Sequence, residues 1–372
     1  MIVKKNSFPA LLLMAALAVG GIAHAQIADP PVPIDASAVR KIASDVAAAV
    51  EQNYVFPDRA FEMAKLIRGK LEAGSYAAIG TSQDLRQQLE ADLRSVNGDK
   101  HLAVFFNAVP NPIPSSTEET TEQERRFNSY ANNGFVKAER LEGNVGYIDI
   151  RGFSKPEFLK DATAAAFGFV GDTAALIIDM RQNGGGWPAG VAWITSYLFT
   201  DRVHLNDLQH REGNRIEEFW TTADAPGRKY ADRPVYVLTS KNTFSAGEEF
   251  TYNLQALKRA VVVGEATGGG AHPVKPFQLN DHFQVWIPFA RSVNPVTKQN
   301  WEGRGVAPDV NVAAEKALDT AYLAALKAAR AKEKNALIAA DQDRAIATVL
   351  SSEAALDRQS QRTAADIQRS AR

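Results

Sequence analysis

Pro234-Val-Tyr-Val-Leu-Thr-Ser-Lys-Asn-Thr-Phe-Ser-Ala-Gly-Glu-Glu-Phe250 reads as a buried strand that turns directly into a helix. Pro234 to Thr239 is almost continuously apolar, and Phe250, Leu254 and Leu257 recur on one helical face. Ser245 sits at the turn between small residues. There its hydroxyl is unhindered, and the N–H groups of the first helical turn point at any charge developing beside it. Two readings stay open at this level: Ser245 caps the helix, or it is a nucleophile.

The same strand-to-helix pattern recurs on both sides. Val145-Gly-Tyr-Ile-Asp-Ile150 is a strand, Ala162 to Phe169 fits a helix, and Ala174-Ala-Leu-Ile-Ile-Asp-Met180 is an apolar run suited to a sheet covered on both faces. Val191 to Phe199 is a further helix, and Ala260 to Val263 and Phe283 to Pro288 are further strands. The alternation predicts an α/β domain. Upstream, Val39, Ile42, Ala43, Val46 and Val50, then Phe61, Ala64, Ile67 and Leu71, then Leu85, Leu89 and Leu93 are spaced for three amphipathic helices. Asp35 and Thr81 supply N-cap chemistry. A strand-like Leu102 to Phe106 follows Gly98-Asp-Lys-His101. The expected organisation is a targeting segment over 1–25, a helical domain over 26–106 and a linker or surface loop over 107–133. An α/β core over 134–316 and a helical extension over 317–372 complete it.

The targeting segment rests on Lys4 and Lys5, the apolar Leu11 to Gly20, and Ala23-His-Ala25, which has the form of a cleavage site. It predicts an exported chain beginning at Gln26, with no membrane span. Its removal takes the formal charge from −1 to −3. That near-neutral balance gives no support for a nucleic-acid partner. With no cysteine, the chain has neither a disulfide nor a thiol nucleophile.

A second loop follows the apolar strand at once: Asp179-Met-Arg-Gln-Asn-Gly-Gly-Gly186. Its glycines let backbone N–H groups approach a ligand closely, as an oxyanion hole requires. It fits no nucleotide-binding spacing, and a plain tight turn is the competing reading. A catalytic serine also needs a base. The histidines after residue 25 are His101, His204, His210, His272 and His282. His204 and His210 lie in a polar stretch and read as surface residues; His272 lies in Gly268-Gly-Gly-Ala-His-Pro273. No histidine pair has zinc-ligand spacing, so no metal and no cofactor are expected.

Taken together, these segments resemble the S41 family of serine peptidases, the C-terminal processing or tail-specific proteases. The likeness is greatest to the branch without a PDZ domain, which includes the tricorn protease core and interphotoreceptor retinoid-binding protein. It is carried by Gly143-Asn-Val-Gly-Tyr-Ile, Ile177 to Gly186, Phe244 to Phe250, Val263-Gly-Glu-Ala-Thr-Gly-Gly-Gly-Ala-His-Pro and Asn300-Trp-Glu-Gly-Arg-Gly-Val-Ala-Pro-Asp309. Tyr54-Val-Phe-Pro57 and Asp99-Lys-His101 match the preceding domain. The resemblance implies a crotonase- or ClpP-like α/β core of ββα units behind a small helical bundle. It implies Ser245 as nucleophile, His101 as general base and Glu302 as the carboxylate that steadies it. The oxyanion donors would be the N–H groups of Gly185 or Gly186 and of Ala246. The lysine that tail-specific relatives use falls at Gly270, so that dyad is absent, and Lys275 does not match it. Lys100 stands where a small residue commonly precedes the histidine.

The function implied is hydrolysis of a peptide or protein substrate. The alternative is a non-catalytic protein on the same fold that holds a hydrophobic ligand or peptide, with Trp187, Trp193, Trp220, Phe244 and Trp301 near the motif loops as its cleft. Acyl-CoA chemistry lacks a basic cluster for the CoA phosphates.

Overall fold

The computed structural model describes residues 31–110 and 117–351; the targeting segment and the tail beyond 351 lie outside them. Three helices open the chain: α1 (Ala36–Asn53), α2 (Pro57–Glu72) and α3 (Ser82–Asn97). They start where the sequence places caps. The Asp35 carboxylate accepts the Ala38 N–H at 2.8 Å, and the Thr81 hydroxyl accepts that of Asp84 at 3.1 Å. Gly98 ends α3 in the left-handed conformation, φ +74°.

The helices do not form a free-standing bundle. Strand β1 (Ala103–Phe106) pairs antiparallel with β10 (Phe283–Pro288), which pairs in turn with β9 (Val274–Gln278). Phe283, Val285 and Ile287 share one core with Val46, Ile67 and Leu89 of the helices. The 283–288 strand therefore belongs with the first domain rather than the α/β sheet, because its apolar alternate residues complete the helices' buried face.

Residues 107–133, expected as a linker, contain helix α4 (Thr117–Tyr130). It is tied down by Lys155–Glu124 at 2.8 Å and by the Ser154 hydroxyl, which donates to Asn128 Oδ1 at 2.8 Å. Its polar composition hides a helix held by polar contacts rather than by an apolar stripe.

The main sheet has six strands in the order β12-β8-β7-β4-β3-β2. They are β2 (Phe135–Leu141), β3 (Val145–Ile150), β4 (Ala175–Asp179), β7 (Val235–Thr239), β8 (Val261–Gly264) and β12 (Val310–Asn311). The run β3-β4-β7-β8 is parallel, and β2 is an antiparallel edge. Successive side chains point to opposite faces. Ile148, Leu176, Ile178, Val235 and Val237 enter the core beneath α5 (Pro156–Phe169), α6 (Pro188–Thr195) and α7 (Ala246–Ala256). Tyr147, Ala175, Ile177, Tyr236 and Leu238 enter the core on the other face, against α8 (Ala317–Lys332).

Ala317, Ala321, Ala325 and Leu326 of α8 are buried there, with Ala345 of a last helix over residues 336–351. The described part of the segment after 316 thus packs on the sheet. The stretch read as polar surface around His204 is a three-stranded sheet: β5 (His204–His210), β6 (Ile216–Trp220) and β11 (Ala290–Val293). The fold is mixed α/β with a helical N-terminal region. No helix of the described residues is long and apolar enough to cross a membrane.

Candidate active site

Strand β7 delivers the chain to Ser245, and the turn is pinned from below. The Thr243 hydroxyl donates to Met180 O at 2.8 Å, and the Phe244 N–H donates to Asn183 O at 2.9 Å. Ser245 caps α7 with φ +54° and ψ −121°, a conformation that L-residues rarely adopt. Such a residue costs about 1–3 kcal/mol and persists only where its surroundings over-determine it. Here the determinant is Glu248. Its carboxylate accepts the Ser245 N–H at 2.9 Å, the Gly269 N–H at 2.6 Å, the Gly270 N–H at 2.8 Å and the Thr267 hydroxyl at 2.5 Å. One buried side chain thus fastens Ser245 to the 267–270 loop. Burial pushes Glu248 up to about 7 against the opposing pull of these four donors.

The glycine loop after β4 lies against the same turn. A Cβ on Gly185 would come 2.7 Å from Ser245 Cβ and 3.1 Å from Ala246 N. The Gly185 N–H is already given to Asn183 Oδ1 at 2.9 Å, while Asn183 Nδ2 donates to Ile150 O at 3.0 Å. The N–H groups of Gly186 and Ala246 have no acceptor among the described residues. Of the three expected oxyanion donors, these two are free to turn to a ligand. Gly186, at φ +137°, pairs with Phe153, whose backbone leaves no room for a Cβ.

His101 reaches the site from the N-terminal region. Its ring packs on Phe244, the neighbour of Ser245, with centroids 4.7 Å apart. No hydrogen bond joins it to Ser245, and its buried Nδ1 has no partner among the described residues. Burial pushes His101 down to about 4; Asp99 opposes that shift, and His272 and Arg94 add to it. It is therefore neutral, and able to accept a proton, across the neutral pH range. Gly270 explains its place: a Cβ there would stand 2.5 Å from Phe244 Cε2 and 2.6 Å from His101 Cε1. The imidazole and Phe244 fill the space that a side chain at 270 would need.

Glu302 lies one layer away. Its Oε2 accepts the Ala271 N–H at 2.6 Å and stands 3.5 Å from His272 Nδ1. His272 Nδ1 is closer to Asp99 Oδ2, at 2.8 Å, and Asp99 also accepts the Tyr54 hydroxyl at 2.9 Å and the His101 backbone N–H at 3.0 Å. Burial raises Glu302 above the usual carboxylate range. The structure gathers Ser245, Gly185, Gly186 and Ala246 around one turn and packs His101 beside it. It places no hydrogen bond between His101 and Glu302.

Asp99, His272 and Glu302 hold donor atoms within 4.8 Å of one another, a spacing compatible with a metal ion, as do His204, Asp207 and Glu218. In the first group the imidazole already bonds a carboxylate. The first cluster is not visible in sequence spacing, because its members come from separate segments of the chain.

The remaining candidates are placed elsewhere. His210 is buried rather than on the surface, 2.9 Å from Glu217, because β5 lies in the middle of its sheet. Lys275 sits over the Phe289 ring at 4.4 Å. The aromatics proposed for an apolar cleft are dispersed. Trp301 is buried and donates to Gly270 O at 2.7 Å, Trp220 stacks on His204 at 4.1 Å, and Trp193 lies beneath Lys160 at 5.3 Å. Trp187 alone among them is half exposed, under Lys155 at 4.7 Å. Asp99, Asn183, Glu248 and His272 carry the site's hydrogen bonds without having been singled out for such roles. The one with a local signal is Glu248, in the Ser-x-x-Glu spacing of a capping box.

Comparison with known proteins places the chain in a family. Residues 144–312 match the family described as peptidase family S41, and residues 36–137 match the N-terminal domain of peptidase S41 in eukaryotic IRBP. The chain is 26% identical over 242 residues to the chloroplastic C-terminal processing peptidase of Tetradesmus obliquus, covering 60% of this chain and 48% of that protein. It is 29% identical over 167 residues to the carboxyl-terminal-processing protease of Synechocystis sp. (strain ATCC 27184 / PCC 6803 / Kazusa), covering 45% of this chain and 37% of that one. The chain thus spans less than half the length of these curated relatives. Among solved structures it shares its fold with a lipoprotein from Streptococcus agalactiae. The TM-score is 0.52 and the identity 17%, over 78% of this chain and 96% of that one.

Proposed function

Because the chain belongs to peptidase family S41, we propose that it is a serine peptidase that cleaves peptide or protein substrates at Ser245. The observation that carries the reading is the backbone of Ser245. A strained serine, held by a buried carboxylate beside two uncommitted N–H groups, has no purpose as a simple helix cap. The Ser245 hydroxyl attacks the scissile carbonyl, and its proton passes to His101. The N–H groups of Gly186 and Ala246 receive the oxyanion, at roughly 3–4 kcal/mol per donor. His101 then returns the proton to the leaving amine, and water releases the acyl group by the same steps in reverse. Glu302, the carboxylate expected of a Ser–His–Glu arrangement, reaches His101 only by way of His272 and Asp99. The contact between His101 and Ser245 tightens when substrate is bound, as catalytic hydrogen bonds commonly do. The leader-like residues 1–25 support export of the enzyme.

The test compares wild type with Ser245→Ala, using a fluorophosphonate probe and an unstructured protein substrate. Labelling and cleavage at Ser245 are expected in wild type, with loss of at least about 10³-fold in the variant at unchanged stability. Equal cleavage by both proteins would sink the reading.

A further inference from the structure

A general base that becomes imidazolium needs a negative charge fixed beside it. Two carboxylates compete for that role. Glu302 spends Oε2 on the Ala271 N–H and faces His272, Asp99 and Lys100. Asp99 opposes the downward push of burial on His101. Asp99 is two residues from His101 in the chain and is 1% exposed. Its Oδ1 accepts the His101 backbone N–H, and its Oδ2 accepts both the Tyr54 hydroxyl and His272 Nδ1–H.

We propose that Asp99, locked by His272 and Tyr54, is the carboxylate that positions His101, and that Glu302 acts on the base only through His272. The assignment rests on the peptidase reading for its kinetic consequence, though not for its geometry.

The lock spans two parts of the fold. Tyr54 ends α1, Asp99 follows α3, and His272 precedes β9. Asn97 Nδ2 holds the Tyr54 hydroxyl at 2.5 Å, and the Phe56 ring lies edge-on to His272 at 5.3 Å. Burial alone would raise Asp99. Its bond with His272 and the His101 N–H hold it below the usual carboxylate range, so it carries its charge. Asp99, His272 and Tyr54 are positioning residues in this scheme: none touches the scissile bond, and each acts through the placement of His101.

The experiment makes Asp99→Asn, His272→Gln and Glu302→Gln in the full chain and reads two observables at pH 7. The first is NMR. A carboxylate-bonded His272 Nδ1–H signal and an exchange-protected His101 amide are expected in wild type and in Glu302→Gln, and both are lost in Asp99→Asn. The second is the rate of fluorophosphonate labelling of Ser245. A fall of about 10²-fold or more is expected in Asp99→Asn and His272→Gln with unchanged KM for a peptide substrate, against less than tenfold in Glu302→Gln. A Glu302→Gln loss equal to that of Asp99→Asn, or loss of the two NMR signals in Glu302→Gln, overturns the assignment. If wild type is not labelled, the peptidase reading fails and the NMR observables alone decide this one. If Asp99→Asn does not fold, Glu302→Gln carries the test: a loss beyond tenfold overturns the assignment, and a smaller one with both signals intact supports it.

Discussion

His101 and Gly270 claim the same space: a Cβ on Gly270 would lie 2.6 Å from His101 Cε1. The His101 imidazole and a lysine at 270 are therefore mutually exclusive in this chain. Gly270→Lys is expected to displace His101 and Phe244 and to cut activity at least about 100-fold, without creating a working Ser–Lys pair. Gly270→Ala, which adds the Cβ alone, is expected to lose activity in the same direction. A Gly270→Lys enzyme as active as wild type would show that the space is not shared.

Ser245 stores backbone strain at φ +54°. Glycine adopts that region freely. Ser245→Gly is therefore expected to raise stability over Ser245→Ala by about 1 kcal/mol, while both are inactive. Urea unfolding of the two inactive variants measures the difference. Equal midpoints at equal slope would mean that the turn is unstrained.

Glu248 accepts two glycine N–H groups, the Ser245 N–H and the Thr267 hydroxyl. Glu248→Gln points an N–H₂ group at those donors. The expected result is a loss of about 2–4 kcal/mol in stability and of Ser245 labelling. Thr267→Val, which removes one donor of the four, is expected to cost less than Glu248→Gln on both scales.

Glu249 is buried in α7 with Oε1 unpartnered, and burial pushes it up to about 8, opposed by Asn206. The native state then keeps a proton that the unfolded chain releases near 4.5. Stability contributed by this group is present below 4.5 and is lost as pH rises through about 8. His101, pushed down to about 4, acts in the opposite sense, costing stability as pH falls from 6.5. The window from 6.5 to 8 therefore isolates the glutamates. Glu249→Gln, whose amide can donate to the unpartnered Asn206 Oδ1, is expected to flatten the decline there by at most about 2 kcal/mol. Urea unfolding at pH 6.5 and pH 8.5 tests it. An unchanged slope would show that Glu249 is ionised in the fold.

Much of this site is legible in the chain because its parts are local. Val235 to Thr239 with Ser245, and Ala175 to Asp179 with the glycines at 184–186, each read as a strand running into a functional turn, and periodicity alone finds the three opening helices. What stays hidden is pairing at a distance. Nothing in Phe283 to Pro288 says that its partner is Ala103 to Phe106 rather than the neighbouring α/β strands, since both choices satisfy an alternating apolar pattern. The polar α4 is hidden because hydrogen bonds, not an apolar stripe, dock it. The role of Asp99 is hidden for a related reason. It is read beside His101 in the chain, yet its carboxylate is defined by Tyr54 and by His272, 173 residues later.

The β1–β10 pairing joins Ala103 to Trp286 across the whole α/β domain. Contacts so far apart in sequence form late, after the entropy of closing the intervening chain has been overcome. A nascent chain that ends short of residue 286 carries Ser245 on its turn but has no strand on which to anchor the segment bearing the base. On the mechanism proposed above, the order of synthesis then leaves Ser245 without its base until the last part of the fold has been made.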